Sequence, residues 1–155
     1  MSMAFVRESD ADAVAARPER PISAHPNFVT QTGLAKIEAR VCELEAMRSA
    51  ALSAGDGTAL PGIERDLRYW KQRRSSARVI AAPAAPEIVR FGVTVSLRFD
   101  QGGIQRYQLV GEDEADPASG LISWTSPVGS ALIGRRAGDI IAVSGRHAEI
   151  IAMQA

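Results

Sequence analysis

The spacing of apolar residues changes once along the chain, at the segment AAPAAPE, residues 81–87. Before this segment, apolar residues recur every three or four positions, which is typical of helices that pack along one face. After it, apolar and polar residues alternate, which is typical of strands with one buried face. The sequence therefore predicts a helical part over residues 27–80, a linker over residues 81–87 and a β-rich domain over residues 88–155.

The helical part is predicted to be an antiparallel hairpin. Thr30 or Thr32 is suited to cap the first helix, whose apolar stripe is Leu34, Ile37, Val41 and Leu44, extended by Met47, Ala51 and Leu52. The segment SAGDGTALPG ends that helix and reverses the chain. A second helix then repeats the spacing with Ile63, Leu67, Trp70 and Ala77, so the two helices form a coiled coil.

The β-rich domain is predicted to be an antiparallel sheet with one short helix, which makes the fold class α+β. The predicted strands are residues 91–99, 106–110, 121–124, 139–143 and 147–153. The short helix is SPVGSALIG, in which Ser126 caps the start, Pro127 occupies the first turn and Gly134 ends the helix.

Residues 1–26 contain Pro18, Pro21 and Pro26 without helical or strand periodicity, which predicts a flexible or loosely docked lead-in. No stretch approaches the roughly 20 apolar residues that cross a bilayer, and the N-terminus lacks the apolar core of a signal peptide. The sequence predicts a cytoplasmic protein without membrane contact.

Cysteine and histidine are scarce, since Cys42 is the only cysteine and His25 and His147 are the only histidines. One cysteine excludes an internal disulfide and a multi-cysteine metal site. We therefore predict no metal and no cofactor of the protein's own.

The net charge is zero, but the charges are unevenly distributed. Residues 62–78 form a basic arm that contains two acidic residues and six basic ones: Arg65, Arg68, Lys71, Arg73, Arg74 and Arg78. Four of the eight acids after residue 86 lie within five positions: Glu112, Asp113, Glu114 and Asp116. Such clustered like charges indicate either a solvated loop or a surface for a basic partner.

Residues 89–155 resemble the C-terminal domain of the GreA/GreB transcription elongation factors, above all in VRFGVTVSL and YQLVGEDEADPASGLISWTSPVGSALIGRRAGD. VTQTGLAKIEARVCELE and SSARVI resemble the beginning and end of that family's N-terminal coiled coil. The ordered motifs GEDEAD, ISxxSP and ALIGxxxGD make the resemblance specific. It implies an FKBP-like fold for the C-terminal domain and a projecting coiled coil.

The resemblance also implies a partner, because members of this family dock their C-terminal domain on the secondary-channel rim of bacterial RNA polymerase. The implied polymerase-docking residues are Glu112, Asp113, Glu114, Asp116, Ser126 and Pro127, of which the last two are equally explained by starting the short helix. Contact with nascent RNA or DNA is implied for Arg65, Arg68, Lys71 and Arg73. The resemblance implies a factor that is no enzyme itself and at most stimulates RNA cleavage by the polymerase, because in this family acids at the coiled-coil tip help the polymerase hold its own catalytic magnesium.

The tip of the hairpin departs from the family pattern. Cleavage-stimulating members carry a tip resembling GDLKENAEY with two acids three residues apart, whereas residues 55–59 read GDGTA. Asp56 matches the first acid, and Ala59 stands in place of the second. Each arm is also shorter by roughly a heptad or more, which removes on the order of 10 Å of reach. Asp56 is therefore either a surviving magnesium-directed acid or an ordinary residue of a glycine-rich turn.

Three functions remain open. The preferred one is a monomeric regulator of transcription elongation at the secondary channel, with weak or no stimulation of transcript cleavage, as in short-hairpin homologues of the Rnk type. The second is a complete cleavage-stimulating factor. The third is a prolyl isomerase, which an FKBP-like fold suggests, although most of the domain's aromatic residues are better explained as core: Phe91, Phe99, Tyr107 and Trp124.

Overall fold

The computed structural model describes residues 18–155, so residues 1–17 of the predicted lead-in lie outside the described residues. The described chain forms two compact units. The hairpin unit comprises residues 18–23 and 38–75, and the sheet unit comprises residues 24–37 and 76–155. Helices and a mixed five-stranded sheet confirm the predicted α+β class.

Two helices flank the predicted chain reversal. Helix α1, Gln31–Ala54, begins after Thr30, whose side-chain oxygen accepts a hydrogen bond from the Gly33 amide at 2.9 Å. Thr30 is thus the cap among the two predicted candidates. Helix α2, Leu60–Ser76, follows a turn in which Gly55 has φ +67°, a conformation that glycine adopts without steric cost. No helix in residues 18–155 combines the length and apolar character needed to cross a membrane.

The hairpin unit has a small apolar core between its helices. Its buried members are Val41, Leu44 and Leu67, with Ile63 and Trp70 packed against them. The predicted apolar contact between the two helices, here called the seam, is therefore confirmed at these positions. Two ion pairs join the helices in antiparallel order: Lys71 with Glu45 at 2.9 Å and Arg48 with Glu64 at 3.2 Å.

The apolar stripe of α1 is narrower than predicted. Ala51 is buried, but Met47 and Leu52 are 44% and 53% exposed. A seam residue recurs alternately after three and four positions, which leads from Leu44 to Arg48 and then to Ala51. Met47 and Leu52 lie beside that line, so the prediction that they extend the seam is wrong.

The sheet unit contains two sheets. Strand β1, Phe28–Val29, pairs in parallel with β2, Arg78–Val79. The larger sheet has the order β5-β4-β3-β7-β6 and consists of β3 (Thr94–Phe99), β4 (Ile104–Val110), β5 (Leu121–Ser123), β6 (Ile140–Val143) and β7 (Arg146–Gln154).

The larger sheet is mixed, whereas the sequence predicted an antiparallel sheet. Strands β3, β4, β6 and β7 pair antiparallel, but β5 runs parallel to β4, with Gln108 opposite Leu121. The cause is the connection after Val110, which passes back along β4 and reverses at a 3-10 turn, Pro117–Ser119, before β5 begins. The antiparallel prediction is therefore wrong at this pair. The FKBP-like fold stays a prediction.

The core of the sheet unit lies on one face of the larger sheet. Strand β3 buries Val95, Leu97 and Phe99 on this face, and strand β7 adds Ala148 and Ile150. The strand predicted from residue 91 begins later, at Thr94, because Phe91 and Gly92 form a turn in which Gly92 has φ +84°.

Helix α3, Pro127–Leu132, packs Leu132 into the sheet-unit core. It begins as predicted, with Ser126 as the cap and Pro127 in the first turn. Gly134 follows its end with φ +82°, which fits the predicted terminator.

Candidate functional site

The acidic loop, residues 111–116, leaves β4 and leads into the 3-10 turn. Its carboxylates are held by hydroxyl groups on different elements, and Asp113 also has a partner. The hydroxyl contacts are Thr125 Oγ1 to Glu112 Oε1 at 3.1 Å, Thr30 Oγ1 to Glu114 Oε2 at 2.6 Å, and Ser119 Oγ to Asp116 Oδ2 at 2.5 Å. The loop is therefore an ordered array of acids with defined directions.

The structure brings part of the acidic loop together with the start of α3. The Thr125 hydroxyl donates to Glu112 and is also hydrogen-bonded to the Ser123 hydroxyl at 2.8 Å. The next residue, Ser126, donates to the Ser123 carbonyl at 2.7 Å and accepts from the Gly129 amide at 3.1 Å. Glu112 thus lies beside the segment that contains Ser126, as a shared surface requires.

The predicted polymerase-docking residues differ in how far they are exposed. Pro127 and Asp116 are exposed, and Glu112 and Asp113 are half-buried. Glu114 is 8% exposed and is directed toward the start of α1. Its carboxylate is therefore not presented at the surface with the others, which the sequence did not predict.

One carboxylate oxygen of Asp56 is engaged by its own turn at the hairpin tip. Its Oδ1 accepts hydrogen bonds from the Thr58 hydroxyl at 2.7 Å, the Thr58 amide at 3.1 Å and the Ala59 amide at 3.3 Å. These bonds, led by the one from the Thr58 hydroxyl, lower the pKa of the exposed Asp56. Ala59 supplies no second carboxylate, so this geometry matches the turn-forming interpretation of Asp56.

The acids nearest to the tip on α2 are engaged along the hairpin. Glu64 pairs with Arg48, and Asp66 pairs with Arg65 at 3.2 Å. The residues that the structure describes contain no group of three or more His, Cys, Asp or Glu side chains arranged to hold a metal ion.

The basic arm is largely balanced by acids. Three of the four cations with a predicted nucleic-acid contact have acidic partners in the hairpin unit: Arg65 with Asp66, Arg68 with Glu19, and Lys71 with Glu45. The fourth, Arg73, is only 2% exposed. A buried guanidinium is not available to a phosphate, so the nucleic-acid contact predicted for Arg73 has no structural basis.

The described end of the lead-in contacts α2 within the hairpin unit. Arg20 places its guanidinium 3.8 Å from the centroid of the Tyr69 ring and pairs with Asp66 at 3.7 Å. Glu19 lies next to it and pairs with Arg68. Residues 19 and 20 thus cover part of the basic arm with both signs of charge.

The aromatic residues of the sheet unit are engaged in packing. Phe91 and Phe99 are buried, and Tyr107 packs against the core. Trp124 lies 5.1 Å from Phe28 between ring centroids. A surface cavity of about 250 Å³ beside the linker is lined by no aromatic residue, but by Pro83, Ala85, Pro86, Glu87, Ile88 and Arg90. The prolyl-isomerase alternative gains no support from this arrangement.

Comparison with known proteins identifies similar chains among transcription factors. Residues 84–153 match the family described as "Transcription elongation factor, GreA/GreB, C-term". The chain is 41% identical over 90 residues to a transcription elongation factor GreA of Solidesulfovibrio magneticus, with 57% of this chain and 55% of that relative covered. It is 32% identical over 132 residues to a transcription elongation factor GreB of Xanthomonas axonopodis, with 72% and 79% covered.

The GreA proteins are matched over only part of their length, since the chain spans about half of each of the first relatives. Among solved structures, the GreA factor homolog 1 (Gfh1) protein of Thermus thermophilus is similar at 19% identity and a TM-score of 0.42. That match covers 84% of this chain and 100% of that one.

Proposed function

Because the chain belongs to the GreA/GreB family of transcription elongation factors, we propose that it binds bacterial RNA polymerase at the rim of the secondary channel. The proposed docking surface consists of Glu112, Asp113 and Asp116, together with the exposed start of α3 at Pro127. Acids at a docking surface steer a basic partner and fix its register. The proposed place of action is the cytoplasm. The proposed state is a monomer, since the apolar contact between the two helices of the hairpin is filled from within one chain.

We further propose that the bound protein regulates access to the channel and stimulates transcript cleavage weakly or not at all. The observation that carries this proposal is the tip, where three hydrogen bonds within the turn occupy Asp56 Oδ1 and Ala59 replaces a second acid. Magnesium in a polymerase site needs oxygen ligands supplied in a fixed geometry. One carboxylate engaged in its own turn is a poor source of them.

Contact with nascent RNA or DNA is a subordinate part of the proposal and involves Arg65, Arg68 and Lys71. Their acidic partners are exposed or half-buried, and exposed ion pairs contribute little to stability, so a phosphate could displace the acid.

Docking is tested by measuring the affinity of the labelled full chain for core RNA polymerase by fluorescence anisotropy. The variant Glu112→Lys/Asp113→Lys is expected to bind at least roughly tenfold more weakly, because two attractive charges become repulsive. Glu87→Lys/Asp100→Lys is the matched control, since both residues are exposed acids of the sheet unit outside the acidic loop and the change in net charge is the same. Unchanged affinity of the double variant would refute the docking surface.

The regulatory part is tested by transcript cleavage in stalled, backtracked polymerase at stoichiometric factor. We expect little or no cleavage above that of polymerase alone, and no change on Asp56→Ala. Stimulated cleavage that Asp56→Ala abolishes would contradict this proposal and would identify the protein as a cleavage-stimulating factor.

A further inference from the structure

Glu114 differs from the other acids of the acidic loop in what surrounds it. It is 8% exposed, and its Oε2 accepts a hydrogen bond of 2.6 Å from Thr30 Oγ1, a residue 84 positions earlier. Thr30 is the cap of α1, and the first turn of α1 contains no acid of its own. Glu114 therefore places a carboxyl group where the helix dipole and the first amides favour negative charge.

Two glycines allow the acidic loop to lie this close to the start of α1. A methyl group at Gly33 would lie 2.5 Å from Glu114 Oε2, which is shorter than any normal contact. At the other end of the loop, a methyl group at Gly111 would lie 2.4 Å from the carbonyl oxygen of Phe28. The loop is thus held against residues 28–33 both where it begins and at Glu114.

From this arrangement we infer that Glu114 is a positioning residue: it fixes the acidic loop to the cap of α1, so that Glu112 and Asp113 are presented to the polymerase in one conformation. Glu114 itself does not contact the polymerase. This inference rests on the proposed docking function and assigns a different role to one of the acids in the motif.

The physical basis is preorganisation. A loop with several acids in sequence is disfavoured as a single conformer by mutual repulsion and by the entropy of ordering it. The partly buried hydrogen bond between Glu114 and Thr30 offsets part of this cost before binding. Without it, only the fraction of molecules with the correct loop conformation can bind, and the apparent affinity falls by that fraction.

The experiment separates positioning from direct contact by changing residues that face Glu114 and carry no charge. Thr30→Val removes the hydroxyl at constant shape, and Gly33→Ala places a methyl group against the carboxylate. If either change reduces the population of the bound loop conformation to a tenth, affinity for core polymerase falls about tenfold. Thr30→Ser, which keeps the hydroxyl, should restore binding close to that of the unchanged chain.

A general loss of stability is controlled by Ile141→Val, a one-methylene deletion in the core on β6, at the opposite edge of the sheet. All affinities are measured well below the melting temperature of each variant. A purely structural role predicts that Thr30→Val and Ile141→Val bind alike once folded, whereas positioning predicts that only Thr30→Val binds weakly.

Amide hydrogen exchange of residues 112–116 in the free protein supplies a second readout, which is independent of the polymerase. Positioning predicts faster exchange there in Thr30→Val and Gly33→Ala. Unchanged exchange together with unchanged affinity would overturn the inference, while weak binding by Glu112→Lys/Asp113→Lys would still support the docking surface. Failure of the unchanged chain to bind would instead refute the proposed function, and exchange would still report whether Glu114 holds the loop.

Discussion

Replacing Ser126 by alanine tests whether this residue serves the start of α3 or the polymerase. The side chain makes two hydrogen bonds, one to the Ser123 carbonyl at 2.7 Å and one from the Gly129 amide at 3.1 Å. Loss of a helix cap costs about 1 kcal/mol. Loss of the second bond adds about 1 kcal/mol, so Ser126→Ala should reduce the free energy of unfolding by about 2 kcal/mol in total.

The assay is urea unfolding followed by tryptophan fluorescence, for which Trp124 lies two residues from the substitution. Ser126→Thr is the matched variant, because threonine keeps a hydroxyl oxygen on the same carbon and is itself a good cap. It should unfold within about 0.5 kcal/mol of the unchanged protein.

Two results would refute this reasoning. The first is a Ser126→Ala variant as stable as the unchanged protein, which would mean that the two bonds contribute nothing to the fold. The second is an alanine variant that keeps its stability but binds polymerase about tenfold more weakly, a loss of about 1.4 kcal/mol of binding free energy. That outcome would make Ser126 a contact residue.

Four further predictions concern packing and titration. Gly129→Ala should destabilise the protein by roughly 1–3 kcal/mol, because the added methyl group would lie 2.2 Å from the carbonyl oxygen at the end of β5. Gly62 lies in α2, and a methyl group added there would have no atom within 4 Å. Gly62→Ala should therefore stabilise the protein, because alanine favours the helix more than glycine does, and urea unfolding of both variants would show the difference. Leu44→Ala removes a residue that is 1% exposed from the small seam and should cost about 2–5 kcal/mol, seen as earlier loss of helical circular dichroism on heating. The pKa of Asp56 is lowered in the folded protein, so its ionised carboxylate stabilises the tip above the pKa of the unfolded state, and this stabilisation is lost as pH falls through the pKa of the folded state. A pH titration followed by the Thr58 amide resonance should give a midpoint below that of an aspartate in an unfolded chain. An ordinary midpoint would contradict the turn geometry.

Features that depend on neighbours in sequence could be predicted. The start of α3 follows from Ser126 and Pro127, whose cap geometry involves residues at most three positions away. The hairpin seam follows in the same way from the spacing of Val41 and Leu44 on one helix and of Leu67 on the other. In each case the information lies within a few helical turns.

Features that depend on distant partners could not be predicted. Glu114 reads as one more solvated acid until Thr30 is known to lie beside it. Arg73 reads as part of a basic arm until its burial is known. The parallel pairing of β4 with β5 depends on where the intervening chain turns back, which alternation of apolar residues does not encode. A signal for Glu114 did exist in Gly33, a glycine in the first turn of a predicted helix, where propensity disfavours it.

The short parallel pair of β1 and β2 has a consequence for how this protein tolerates change. Residues 30–77 leave from one of these strands and return to the other, so the whole hairpin is a closed loop with both ends fastened in the sheet unit. Matched insertions or deletions in both arms should therefore leave the sheet unit undisturbed, so the hairpin can be made longer or shorter while the acidic loop keeps its own structure.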